Sequence, residues 1–97
     1  MLINIDMKKL NELLKENNCY IFDFRDKDEF KKNRIKGAIN LNVLKVDDIL
    51  TIVPSKEKII VVYCAKGIRS LAAGERLIEL GYKRVYNLYG GINDFTK

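Results

Sequence analysis

One stretch of the chain gathers the residue types that nucleophilic chemistry needs: Cys64-Ala65-Lys66-Gly67-Ile68-Arg69-Ser70. It follows a β-branched run and leads into a helical pattern. A free thiol has a pKa of about 8.5, so only a few per cent is thiolate at neutral pH. At a helix N-terminus, beside Lys or Arg, the value falls to roughly 3.5–7.5. A fall of about two is worth about 2.7 kcal/mol of thiolate stabilisation. Lys66, Arg69 and the dipole of the helix after Ser70 are expected to supply that environment. Gly67 lets the loop curl so that successive N–H groups point inward as an anion cradle. Cys64 is therefore read as the nucleophile. Ala65, Lys66, Gly67, Ile68, Arg69 and Ser70 are read as a loop that binds an anionic substrate. Cys19 is the contrast. It opens the strand pattern Cys19-Tyr20-Ile21-Phe22 with no basic loop around it, and is expected to be a core or rim residue.

The rest of the composition narrows the chemistry. The chain has no His, which removes Ser-His and Cys-His dyads and the commonest metal ligand. Two Cys build neither a disulfide framework nor a four-ligand zinc site, so no metal and no cofactor are expected. The net charge of +5 comes from scattered Lys with acidic residues between them. That reads as a solvated surface that favours small anions, not as a nucleic-acid face. The longest apolar run, Ile59 to Ala65, is far short of the roughly 18 residues a membrane span needs, so no membrane partner is expected. The first residues, Met1 to Asp6, have no basic segment and no small-residue cleavage site. They do not read as a signal peptide, and the expected location is cytoplasmic.

The elements that must position the loop alternate along the chain. Ile3 to Ile5 reads as a short strand, with Asp6 as a helix N-cap after it. Met7, Leu10, Leu13 and Leu14 form one apolar stripe of a helix expected to end at Asn17-Asn18. Tyr20 to Phe24 is a strand, Asp26 to Lys32 a charged helical turn or two, and Ala38 to Leu41 a short strand. Val43 to Ile52 is expected to be one helix, ended by Pro54-Ser55. Ile59-Ile60-Val61-Val62-Tyr63 has no polar alternation, which is how a strand buried on both faces reads. A helix from about Ser70 to Leu80 follows, with Gly81 as its C′ glycine. Arg84 to Leu88 is the last strand, Gly90-Gly91 a turn, and Ile92 to Phe95 a short helix. With 97 residues there is room for one domain, residues 1–97. The alternation predicts an α/β fold: three layers, α/β/α, around a mostly parallel sheet of about five strands. In such sheets the reactive crevice lies beyond the carboxyl ends of the strands, which is where Cys64 falls.

The chain resembles the single-domain rhodanese family, sulfurtransferases whose catalytic Cys carries a persulfide. Asp23-Phe24-Arg25 with Glu29-Phe30 resembles the family's Asp-x-Arg and Glu-Phe signature. Ile35-Lys36-Gly37-Ala38-Ile39-Asn40-Leu41 resembles its Gly-Ala-x-Asn stretch, with Arg34 where the family often has His. Ile60 to Cys64, with Gly67, Arg69 and Ser70, resembles its strand and active loop. Leu77 to Gly81, Val85-Tyr86-Asn87-Leu88 and Gly90-Gly91 resemble its closing helix, strand and double glycine. Phe95 stands in for a Trp that often follows the double glycine. The loop is C-x4-R, one residue shorter than the C-x5-R of the related phosphatases, and Lys66-Gly67 resembles the basic loop of members that use thiosulfate.

The resemblance implies transfer of a sulfane sulfur from a small anionic donor, thiosulfate-like, to cyanide or a thiol acceptor such as a thioredoxin-like protein. Two alternatives stay open. The chain could be a persulfide relay between partner proteins, or, against the short loop, a phosphatase or arsenate reductase. Arg25 is expected to pair with Glu29, and Asp23 to cap the turn after it.

Overall fold

A computed structural model describes residues 1–16 and 19–95, with residues 94 and 95 as backbone only. The centre is β4 (Ile59–Tyr63), buried along its whole length. Its β-branched side chains stand on both faces of the sheet, so each face needs its own cover of helices. The sheet runs β1 (Leu2–Ile5), β5 (Arg84–Leu88), β4, β2 (Cys19–Asp23), β3 (Ile39–Asn40). All four pairings are parallel.

Alternate residues of the strands go to opposite faces. Phe22, Ile60 and Val62 pack with Ile49, Ala73 and Leu77 of α3 (Ile49–Ile52) and α4 (Ile68–Glu79). Ile21, Val61 and Tyr63 pack with Leu10, Leu13 and Ile92 of α1 (Met7–Leu13) and α5 (Gly91–Phe95). Each Val, Leu, Ile or Phe among them contributes about 1.5–3 kcal/mol when fully buried. The expected α/β/α layers and parallel sheet are therefore present. α2 (Lys27–Lys32) has no fully buried residue and lies outside the core.

Several boundaries differ from the sequence reading. Asp6 does cap α1, accepting the Lys9 N–H at 2.9 Å, but the helix ends at Leu13. The expected end at Asn17-Asn18 lies outside the described residues, as does the side chain of Phe95, which stands where the family often has Trp. Val43 to Ile52 is not one helix. A 3-10 segment (Val43–Asp48) precedes α3, with Lys45 out of helical geometry at φ −110°, ψ 20°. Asn42 is the physical reason. Its side chain accepts the Leu44 N–H at 2.8 Å, drawing the chain into a turn tighter than an α-helical start. α4 starts at Ile68, two residues before the expected position, because Gly67 takes φ +88° as its N-cap. Arg69 and Ser70 therefore lie in the first turn of a helix and not in the loop proper.

Candidate active site

Cys64 follows β4 directly, and its surroundings are arranged by the main chain. The loop turns its carbonyls outward. Cys64 O accepts from the Ile92 N–H at 2.9 Å and Ala65 O from the Asn93 N–H at 3.1 Å, both at the start of α5. Gly67 O accepts from Asn87 Nδ2 at 3.4 Å. With the carbonyls held outside, the N–H groups face the sulfur. Cys64 Sγ accepts from Gly67 N at 3.2 Å and from Ser70 N at 3.4 Å, and the Ser70 hydroxyl lies 3.4 Å away. The Gly67 N–H sits at the N-cap of α4 and the Ser70 N–H in its first turn, where no intrahelical partner exists for them. Gly91, at φ +68°, is what lets α5 approach so closely: a Cβ there would collide with the carbonyls of Cys64 and Ala65.

The sulfur is buried, with Cys64 only 2 % exposed. Burial alone would raise its pKa. Hydrogen bonds from the Ser70 hydroxyl and from the N–H groups of Ser70, Lys66 and Gly67 outweigh that, and the thiol ends below its ordinary value. The expected lowering is there, but its origin differs from the expected one: it comes from hydrogen bonds to sulfur, not from the charges of Lys66 and Arg69. Lys66 is exposed. Arg69 lies 3.6 Å from Glu29 and 3.9 Å from Asp26, so its charge is partly engaged. Exposed pairs of this kind are worth about 0–1 kcal/mol, which orients the guanidinium without neutralising it. A cavity of about 310 Å³ is lined by Cys64, Ala65, Lys66, Ile68 and Arg69. Gly67 and Ser70 are buried behind the sulfur. A larger crevice of about 630 Å³, bordered by Arg25, Asn40 and Lys45, does not reach Cys64 but shares Arg69 with the first.

The Rhodanese-like domain family matches residues 6–97. The chain belongs to the rhodanese family. Among its relatives is the thiosulfate sulfurtransferase GlpE of Coxiella burnetii, 38% identical over 80 residues, which are 82% of this chain and 74% of that protein. The thiosulfate sulfurtransferase PspE of Escherichia coli is 38% identical over 75 residues, covering 76% of this chain and 71% of its own. A rhodanese structure with anions from E. coli superposes at a TM-score of 0.72 and 36% identity, over 78% of this chain and 89% of that one. A rhodanese-related protein from Thermoplasma volcanium superposes at 0.82 and 29% identity, over 97% and 90%.

In this rhodanese the acidic and basic residues after β2 hold structure together. Asp23 accepts the Arg25 N–H at 2.8 Å, so the expected turn cap is present. The expected Arg25–Glu29 pair is not. Arg25 donates to Asp23 from Nε at 3.1 Å and Nη2 at 2.9 Å, both residues being buried, and also to Asn33. A planar guanidinium satisfied on both edges by nearby oxygens has no reason to reach outward to an exposed carboxylate. Glu29 instead accepts the Asp26 N–H at 3.1 Å and faces Arg69. Cys19 is half-buried against the α1 side of the core, as a rim residue. Burial, with the charge of Glu16, pushes its thiol up to about 11.

Four contributors were not read from the sequence: Asn87, Gly91 as a gripping residue, and the carboxylates Asp26 and Glu29 on Arg69. Asn87 did leave a signal, as a polar residue between Val85 and Leu88 in a strand that is otherwise core.

Proposed function

We propose that this rhodanese moves a sulfane sulfur from an anionic donor such as thiosulfate to a thiol or cyanide through a persulfide on Cys64. The observation that carries the reading is the convergence of Gly67 N–H, Ser70 N–H and the Ser70 hydroxyl on a buried, unpaired cysteine sulfur. Such donors stabilise an anion on Sγ, so no separate base is needed to make the nucleophile. The thiolate attacks the outer sulfur of thiosulfate. The S–S bond of the donor breaks, sulfite leaves with the electron pair, and Cys64 holds the outer sulfur as an anionic persulfide. An acceptor thiolate or cyanide then attacks that sulfur, and Cys64 leaves as the thiolate.

Ala65, Lys66, Gly67, Ile68, Arg69 and Ser70 form the binding loop in this reading. Lys66 and Arg69 border the cavity and attract a dianion, while inward N–H groups stabilise the terminal sulfur as an oxyanion hole would. The names of the relatives at 38% identity favour thiosulfate as donor. That the related E. coli rhodanese was determined with anions accords with an anion-receiving cavity. A thioredoxin-like protein fits the acceptor role as a nucleophilic thiol.

The test is intact mass after exposure to thiosulfate, for wild type and Cys64→Ser. Wild type should gain one sulfur atom, which cyanide removes, and the variant should gain none. An adduct of equal size on the variant sinks the proposal. No adduct on a Cys64 that still alkylates at neutral pH removes thiosulfate as donor and leaves a protein-bound persulfide in its place.

A further inference from the structure

The mechanism above leaves Asn87 without a part. It is 2 % exposed, and both ends of its amide are engaged. Nδ2 donates to Asn4 Oδ1 at 3.0 Å and to Gly67 O at 3.4 Å, and Oδ1 lies 2.6 Å from Ser70 Oγ. The orientation follows from chemistry. A backbone carbonyl can only accept, so the amide nitrogen faces Gly67 and the amide oxygen faces Ser70. Ser70 Oγ also lies 3.4 Å from Cys64 Sγ. A serine hydroxyl carries one proton. Asn87 Oδ1 and a Cys64 thiolate cannot both receive it.

We propose that Asn87 is a positioning residue that competes with Cys64 for the single Ser70 hydroxyl proton and so limits how far the sulfur is stabilised as an anion. The inference rests on Cys64 being the reacting sulfur. While Cys64 is a thiol or carries the persulfide, Ser70 donates to Asn87, and its oxygen can accept from an S–H. When Sγ becomes anionic the hydroxyl turns to it, because hydrogen bonds to an ion are roughly twice as strong as neutral ones. Asn87 Oδ1 then loses that donor.

The two halves of the reaction use the exchange differently. In the first, a less stabilised thiolate is the better nucleophile, since nucleophilicity falls with pKa. In the second, the S–S electron pair returns to Sγ as the outer sulfur leaves with the acceptor, and the hydroxyl turns back to the new thiolate. No proton is transferred in either turn. Among the described residues, the charged groups bordering the Cys64 cavity are Lys66 and Arg69, with Asp26 and Glu29 held on Arg69. Among the described residues, what β5 and α5 bring to the loop, Asn87, Ile92 and Asn93, is neutral.

The experiment is the pH profile of Cys64 alkylation by iodoacetamide in a Cys19→Ser background, for Ser70→Ala, Asn87→Leu and the double variant. Asn87→Leu should lower the midpoint and give about three- to tenfold more thiolate at a fixed pH below it. Ser70→Ala should raise the midpoint, and the double variant should match Ser70→Ala. If Asn87 merely braced Gly67, its removal would raise the midpoint, or shift it equally with Ser70 absent; either result overturns the proposal. Should Asn87→Leu fail to fold, the side-chain amide resonance of Asn87 in the wild type is followed through the Cys64 titration. It should move, and the movement should vanish in Ser70→Ala; a resonance that does not move overturns the proposal. Alkylation needs no sulfur donor, so these outcomes stand whether or not thiosulfate charges the protein.

Discussion

Cys19 and Cys64 carry one chemical group into two environments. Cys64 meets N–H donors that favour its anion, whereas Cys19 meets apolar packing and the charge of Glu16. The consequence for stability has opposite signs. Cys19 stays protonated in the folded state up to about 11, while in an unfolded chain it ionises near its ordinary value. Between those values the unfolded chain holds fewer protons, so stability falls as pH rises. Cys64, lowered, contributes stability that is complete above the ordinary thiol value and is lost as pH falls through its folded value. Thermal unfolding of wild type and Cys19→Ser from neutral to strongly alkaline pH should therefore diverge, with wild type losing stability that the variant keeps. Parallel curves would show that Cys19 is not held protonated. The surroundings of Cys64 were legible because its neighbours in sequence are also its neighbours in space. Asn87 was not, because it reaches Ser70 from a strand 17 positions further on.

The elements around the loop divide the work of shaping it. α4 supplies donors, α5 holds the first two carbonyls, and β5 holds the third through Asn87. Gly91→Ala attacks this arrangement at one point. Its φ of +68° costs a side chain about 1–2 kcal/mol, and the new Cβ meets two backbone carbonyls that have no flexible end to yield. A loss of about 2 kcal/mol or more in urea unfolding is expected, together with slower Cys64 alkylation at neutral pH. Wild-type stability in that variant would mean that α5 does not hold the loop. Apolar spacing located most of the elements, but their ends depended on side-chain capping. Asn42 turned the start of the Val43 to Ile52 segment into a 3-10 turn, and the positive φ of Gly67 pulled Arg69 and Ser70 into α4. A hydrophobic pattern carries neither fact.

Across the whole molecule, the alternation of strands and helices made the layered architecture legible, and the unbroken apolar run of β4 marked the centre of the sheet. The strand order was not legible, since nothing in β1 declares that its partner is β5. The buried Asp23–Arg25 pair ties the end of β2 into this frame, and breaking such a pair by removing one member costs about 3–5 kcal/mol. That is a large part of the roughly 5–15 kcal/mol that holds a domain together. Arg25→Ala should therefore show an early urea midpoint, yet keep the wild-type pH profile of Cys64 alkylation wherever it is folded. A shifted profile at full stability would place Arg25 in the chemistry instead. The pairing of β1 with β5, Leu2 beside Val85, joins the two ends of the described chain. Contacts that span such a length form late, because the entropy of closing the chain is lost before the contact stabilises anything. β5 and α5, which grip the loop, are also synthesised after it. The loop's carbonyls are thus gripped only once β5 and α5 have docked, and a chain short of that point is expected to hold its thiol nearer the ordinary value, mostly protonated at neutral pH. An ionised sulfur is therefore expected to arrive with the native state, so that a molecule still able to aggregate or mispair offers little thiolate to do so.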